Sequence, residues 1–348
     1  MTANNKFIAQ LSSLRFFAAI AVVIFHFGKW SFPFNSFPYT NAMHLAVSFF
    51  FVLSGFIMII NYNELKEFSY IKAGNFYFKR LIRIVPLYII ALIVLFFVSF
   101  FVDNDISISF DGFIQSLFFL QAWFPTNALS VNFPGWSISV EMFFYLLFPF
   151  IVPLFFNNSK ISKYVFLFWL VSSIIFLWLF FNLDQTDIFI KNFTKFFPLL
   201  HLNQFLIGMM AGLVFLKNKM NGNIYFILAM LFLIVYLPLV PDNFINHNGL
   251  IAPIFAFLIL GAATSTSVIK KILSWPLLVK GGEASYGIYI LQFPVYLIIY
   301  QFYRVTNTYE YLGEEGRFYI YLLFLILFCY ISSKTLEAWP KKYLLTKN

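Results

Sequence analysis

Hydrophobic positions along this chain come in long continuous runs, not in the spaced stripes of a soluble amphipathic helix. Ten runs, near residues 11–28, 42–61, 84–102, 136–156, 164–181, 196–215, 223–240, 249–267, 285–303 and 318–336, are each long enough to cross a hydrocarbon layer as a helix. A weaker apolar stretch at 113–124 reads as interfacial. The longest polar interruptions, 62–83 and 103–135, are short, and no low-complexity tract or internal repeat stands out. The pattern predicts an all-α polytopic protein of about ten transmembrane helices. It reads as one integral-membrane domain over residues 1–348, with no separate soluble domain.

Composition agrees with the pattern: 61% of the 348 residues are hydrophobic and 11% are charged, against roughly a quarter charged in a soluble domain. The single Cys329 rules out an internal disulfide. Residues 1–10 carry one lysine and no small-residue cleavage site follows Phe27, so the first run is expected to remain as an uncleaved span. Positive charge alternates between the connecting segments. One set, from Lys6 through Lys66, Lys72, Lys79, Arg80 and Arg83 to Lys347, holds seventeen Lys and Arg, and the other holds five. By the positive-inside rule both termini are expected to be cytoplasmic. The net charge of +9 is therefore a topology signal and gives no reason to invoke nucleic acid.

Ionisable residues inside the runs are the candidates for chemistry, because a charge in the bilayer costs several kcal/mol and is rarely present without a function. Arg15 and His26 share the first run. Eleven residues at about 100° each return the second side chain to within about 20° of the first, roughly 16 Å further along the axis. One stripe of one helix thus offers a guanidinium near one surface and an imidazole toward the other. Arg80 and Arg83 are three apart at the entrance of the third run, and arginine forks match phosphate oxygens. Cations at cytoplasmic helix ends also serve as topology anchors. Glu141 is the one acidic residue clearly inside a predicted span, with Ser137 four residues earlier on the same face. It could fix the tautomer of an imidazole, or pair with a cation to hold two helices together. Ser54 and Gly55 are small residues in mid-span, suited to close helix approach. His44, His201 with Gln204, and His247 are weaker signals, and the four histidines show no metal-ligand spacing.

Together these residues resemble the acyltransferase-3 family of membrane O-acyltransferases, which modify bacterial surface glycans. The most specific match is Arg15 and His26 with ten residues between them, in Leu14-Arg15-Phe16-Phe17-Ala18-Ala19. It is supported by Phe49 to Phe56, Arg80 to Tyr88, Trp136-Ser137-Ile138-Ser139-Val140-Glu141, Phe205 to Met209 and Ser285 to Leu291. Two departures stand out. Ser48 replaces an acidic residue common before the Phe-Phe-Val-Leu-Ser-Gly run, and Gln292 replaces a histidine common after the Tyr-x-x-Leu stretch. The chain is also read as lacking the hydrolase-like domain that some members carry at the C-terminus.

The resemblance implies a multi-pass protein of the bacterial cytoplasmic membrane. It binds no permanent cofactor or metal and uses acyl-CoA, most often acetyl-CoA, as donor substrate. A glycan hydroxyl is the acceptor, with the bilayer and polysaccharide-assembly proteins as further partners. On this reading Arg15, Lys79, Arg80 and Arg83 hold the donor. His26, with Glu141 orienting it, acts as general base or accepts the acyl group. Ser54, Trp136 and Ser137 contact substrate. The alternatives are a transporter or flippase for a lipid-linked glycan and a non-catalytic component of an assembly system.

Overall fold

The computed structural model describes residues 7–101, 109–217, 221–241, 244–306, 308 and 311–338. Among these residues there are helices and turns and no strand. The sequence places an apolar run on each of ten helical segments, and seven of them are long and apolar enough to cross a membrane outright. They are α1 (Ala9–Val23) with the π-helical turn Ile24–Gly28, α2 (Ala46–Asn61), α3 (Tyr70–Val98), α5 (Trp136–Asn157), α6 (Ile161–Asn182), α7 (Ile188–Phe196) continued by α8 (Leu202–Lys217), and α13 (Glu314–Lys334). An eighth span exists if α10 (Ala252–Ala263) and α11 (Ser267–Leu273) count as one, although the chain bends there by 98°. The segment at 223–240 forms the shorter α9 (Asn223–Tyr236). The one at 285–303 lies within the 30-residue α12 (Pro276–Val305), whose tyrosines and glutamines dilute its apolarity.

Several boundaries differ from the apolar runs for physical reasons. Helix α3 begins at Tyr70, well before residue 84, because Lys72, Lys79, Arg80 and Arg83 are good helix formers that hydropathy reads only as polar. At about 1.5 Å per residue its 29 residues exceed the thickness of a bilayer core. The stretch 113–124 divides into the short α4 (Phe110–Leu117) and tight turns. Ser109 caps α4 by accepting a hydrogen bond from the Gly112 amide at 3.1 Å.

Helix α2 packs most closely on α8. Gly55 sits against the Phe205 carbonyl and Gly208 against the Val52 backbone, so that backbone meets backbone with no side chain between, and Gly212 leaves room for the Ile59 side chain. Gly208→Val would drive a Cβ into the Val52 carbonyl. The expected cost is roughly 1–3 kcal/mol or more, visible as a lower thermal midpoint of the detergent-solubilised protein. An unchanged midpoint would mean that this contact does not set the helix pair. Helix α1 approaches α12 in the same way, with Gly282 facing the Ser12 backbone. Helices α1, α2, α3, α5 and α12 then surround a cavity.

Candidate active site

The cavity holds about 290 Å3 and is lined by Arg15 from α1, Ser54 from α2, Arg80 and Arg83 from α3, Ser137 and Glu141 from α5, and Tyr286 and Tyr289 from α12. Three guanidiniums and one carboxylate therefore share one chamber inside the helix bundle. Among the described residues none of the three arginines donates a hydrogen bond or forms an ion pair with Glu141. Arg80 is buried, with its guanidinium carbon 4.8 Å from the ring centre of Tyr62 and 5.5 Å from that of Tyr145, and its Nε has no partner. Such a set, positive by two charges and with its donors unspent, suits a phosphate-bearing ligand. Phe7 and Asn61 also line the chamber, and Phe7 is exposed, so it reaches the surface at the N-terminal end of α1.

Glu141 accepts hydrogen bonds at Oε1 from the Tyr145 hydroxyl (2.5 Å) and the Ser54 hydroxyl (3.1 Å). This corrects two expectations. Glu141 does not orient His26, and Ser137 does not reach Glu141. The Ser137 hydroxyl instead lies 2.8 Å from the Tyr289 hydroxyl and donates to the Pro134 carbonyl (3.0 Å), because it sits at the very start of α5 where that carbonyl is in reach. Lys79 is exposed and lies outside the chamber, about 100° around α3 from Arg80. Trp136 is outside it as well, packed on His201 and His247.

His26 does not line the chamber and lies past its end at Ser137 and Tyr289. The chamber stops at Tyr289 on α12 and at Ser137 on α5. His26 touches the next residues on, with Nδ1 2.9 Å from Gln292 Oε1 and its ring 4.6 Å from that of Phe133. From Tyr289 to Gln292 is one helical turn, roughly 4.5 Å of rise. The ring stands on a π-helical turn, a local widening that often accompanies a functional site.

Gln292, where the family commonly has a histidine, supplies the partner of His26. Its amide Nε2 donates to the Tyr289 carbonyl at 2.7 Å, which leaves Oε1 facing His26. A carbonyl-type oxygen can only accept, so His26 carries its proton on Nδ1 and its lone pair on Nε2. Pro294, two residues on, lacks an N–H and frees the Ile290 carbonyl. Asn132 Nδ2 donates to that carbonyl at 3.0 Å. The Tyr321 hydroxyl donates to the Gln292 carbonyl at 2.9 Å. The backbone that presents Gln292 is thus held from two sides.

A second polar cluster lies behind Phe51 and Trp136, where the structure brings together His44, His201 and His247. His201 donates from Nε2 to the Lys195 carbonyl (2.9 Å) and accepts at Nδ1 from Gln204 (3.0 Å), and His44 donates from Nδ1 to the Asn41 carbonyl (2.7 Å). Among the described residues no group of three His, Cys, Asp or Glu is arranged to hold a metal ion. Ser48, the other departure, donates to the His247 carbonyl at 2.8 Å and so helps to hold this loop.

Burial holds the His247 imidazole well below its ordinary value of 6.5, and His201, His44 and Lys195 lower it further. The fold therefore prefers the neutral ring. That preference contributes its full stability above pH 6.5, and the contribution is lost as the pH falls below 6.5 toward the depressed value. The thermal midpoint is expected to drop on acidification through this window, and the drop to be smaller in His247→Gln. Identical slopes for the two proteins would remove His247 as a cause.

Residues 8–334 match the family described as an acyltransferase domain, acyltransferase-3. A protein of Staphylococcus aureus strain COL provisionally assigned as an O-acetyltransferase, SACOL0978, is 26% identical over 370 residues, covering 96% of this chain and 57% of that protein. The O-acetyltransferase OatA of S. aureus strain NCTC 8325 is 23% identical over 93% of this chain and 55% of its own length. The acyltransferase MdmB of Streptomyces mycarofaciens is 29% identical over 151 residues, 40% of this chain and 38% of its own. No solved structure matches. The chain spans little more than half the length of the staphylococcal relatives. With the family match running over nearly the whole chain, this protein belongs to the acyltransferase-3 family.

Proposed function

We propose that this chain is a membrane O-acyltransferase that moves an acyl group, acetyl in the simplest case, from acyl-CoA to a hydroxyl of a cell-surface or lipid-linked polysaccharide. The observation that carries the proposal is the order of groups along α1 and α12. Arg15 and Tyr289 face a cationic chamber, and one turn further Gln292 holds His26 with its Nε2 unprotonated. Arg15, Arg80 and Arg83 bind the phosphates of the donor, and the chamber directs the thioester toward Ser137 and Tyr289. Lys79, facing away, stays at the surface.

At His26, Nε2 takes the proton of the acceptor hydroxyl as its oxygen attacks the acyl carbon. An ester C–O bond forms, the C–S bond breaks, and the proton passes to the departing thiolate. Glu141 serves the donor end, where it fixes Tyr145 and Ser54 and limits the chamber's positive charge. In this reading both termini, and with them the chamber mouth at Phe7 and Asn61, face the cytoplasmic side of the bacterial inner membrane, which the excess of Lys and Arg in alternate connections supports.

Deleting the gene and recording NMR spectra of the surface glycan tests this reading. Loss of an O-acyl resonance, restored by the wild-type gene but not by His26→Ala, is the expected outcome. An unchanged spectrum would refute the assignment to glycan acylation.

A further inference from the structure

The lining of α1 and α12 changes character past His26. Phe27 on the π-helical turn that ends α1, Trp30 and Ser31 in the turn just after it, and Tyr296, Tyr300 and Tyr303 on α12 face a second cleft of about 140 Å3, closed by Glu314, Arg317 and Tyr321 of α13. The period is that of one helix face: Ser285 and Tyr289 in the chamber, Gln292 at the imidazole, Tyr296, Tyr300 and Tyr303 in the cleft. The cleft and the chamber therefore lie on opposite sides of the His26–Gln292 pair.

The cleft walls differ in kind from the chamber. Phe27 and Tyr296 are stacked at 4.4 Å with an interplanar angle of 27°, and Tyr296 and Tyr300 at 6.1 Å and 19°, which gives a row of nearly parallel rings. Trp30 stands exposed at the edge, with the Lys29 ammonium 5.0 Å from its ring centre. Opposite the rings, Arg317 is held by donation from its Nη1 to the Leu312 carbonyl at 2.6 Å, with Glu314 one turn before it. Flat aromatic faces suit the C–H face of a pyranose ring, and a carboxylate and guanidinium three residues apart suit its hydroxyls. A lipid tail would have no use for the charged pair, and a nucleoside phosphate is better served by the three arginines of the chamber.

We propose that this cleft binds a sugar unit of the acceptor and presents its hydroxyl to His26 from the side opposite the donor. The inference rests on the acyl-transfer reading and assigns the acceptor's place within it. Tyr300, Trp30 and Glu314 are its binding residues, and Tyr321 positions the catalytic pair because its hydroxyl bonds the Gln292 carbonyl.

Two readouts test it on the full-length protein in nanodiscs, with chemically O-deacylated surface polysaccharide of the host strain as the probe. Saturation-transfer NMR without donor is expected to show polysaccharide binding to wild type that is lost in Tyr300→Ala and in Glu314→Gln. With acetyl-CoA, both variants are expected to raise the KM for polysaccharide about tenfold, while the KM for acetyl-CoA stays as in wild type. Wild-type binding retained by both variants, a parallel rise of both KM values, or no binding to wild type overturns the cleft assignment. Binding lost in the variants, with no acetyl transfer by wild type, instead sinks the acyl-transfer reading and leaves the cleft as a glycan site.

Discussion

His26→Ala is expected to lower acyl transfer by roughly 10²–10⁴-fold, the usual contribution of a positioned general base, while leaving CoA binding as in wild type. The separation of the two effects follows from the geometry. His26 does not line the chamber that holds the arginines, so removing the ring leaves every cationic donor in place. The ring is also only partly buried and touches Phe133 and Gln292 by its edges, so alanine leaves a small defect, not a collapsed core. Isothermal titration with CoA alongside a transfer assay checks both halves. Weaker CoA binding in the variant would place the imidazole in the donor site, and full transfer would remove it from the chemistry.

Arg15→Lys keeps the charge and loses the planar fork. The expected result is a rise of about ten- to a hundredfold in the KM for acyl-CoA, the equivalent of losing one charge-assisted hydrogen bond of roughly 1.5–3 kcal/mol. The effect should be large because the Arg15 guanidinium donates no hydrogen bond among the described residues, so its donors are available to a ligand. A lysine could fill the space but would present a single ammonium on a flexible stem. Steady-state kinetics with varied acyl-CoA measures the effect. Wild-type KM in the variant would show that Arg15 is present for helix packing and not for phosphate.

The sequence made the cationic chamber legible because polar residues inside apolar runs are conspicuous. Arg15, Arg80, Arg83, Ser54, Ser137 and Glu141 all fall on it. What it could not give were partnerships between helices far apart in the chain. Spacing on one helix put Glu141 beside Ser137, but the bundle brings Ser54 and Tyr145 to that carboxylate. It aligned His26 with Arg15 on one stripe, yet gave no sign that the hydrogen-bonded Tyr289 and Ser137 line the chamber while His26 stands outside it. Gln292 and Asn132 are neutral amides, and nothing local marks them as the groups that orient an imidazole and cap a carbonyl freed by proline. The spans were legible from hydropathy, and the break at Phe197 is marked locally by Pro198, which holds it extended, whereas the 98° bend between α10 and α11 carries no such local mark. Aromatic residues such as Tyr296 and Tyr300 were hidden by abundance in a chain with 52 phenylalanines and 20 tyrosines.

The most direct measurement uses sealed proteoliposomes with the protein in one orientation and radiolabelled acetyl-CoA and O-deacylated polysaccharide supplied separately to the two faces. The account predicts label on the polysaccharide when acetyl-CoA is on the face bearing the N-terminus and the polysaccharide is on the opposite face, with none from His26→Ala. Efficient labelling with both substrates confined to one face, or from the alanine variant, would contradict it.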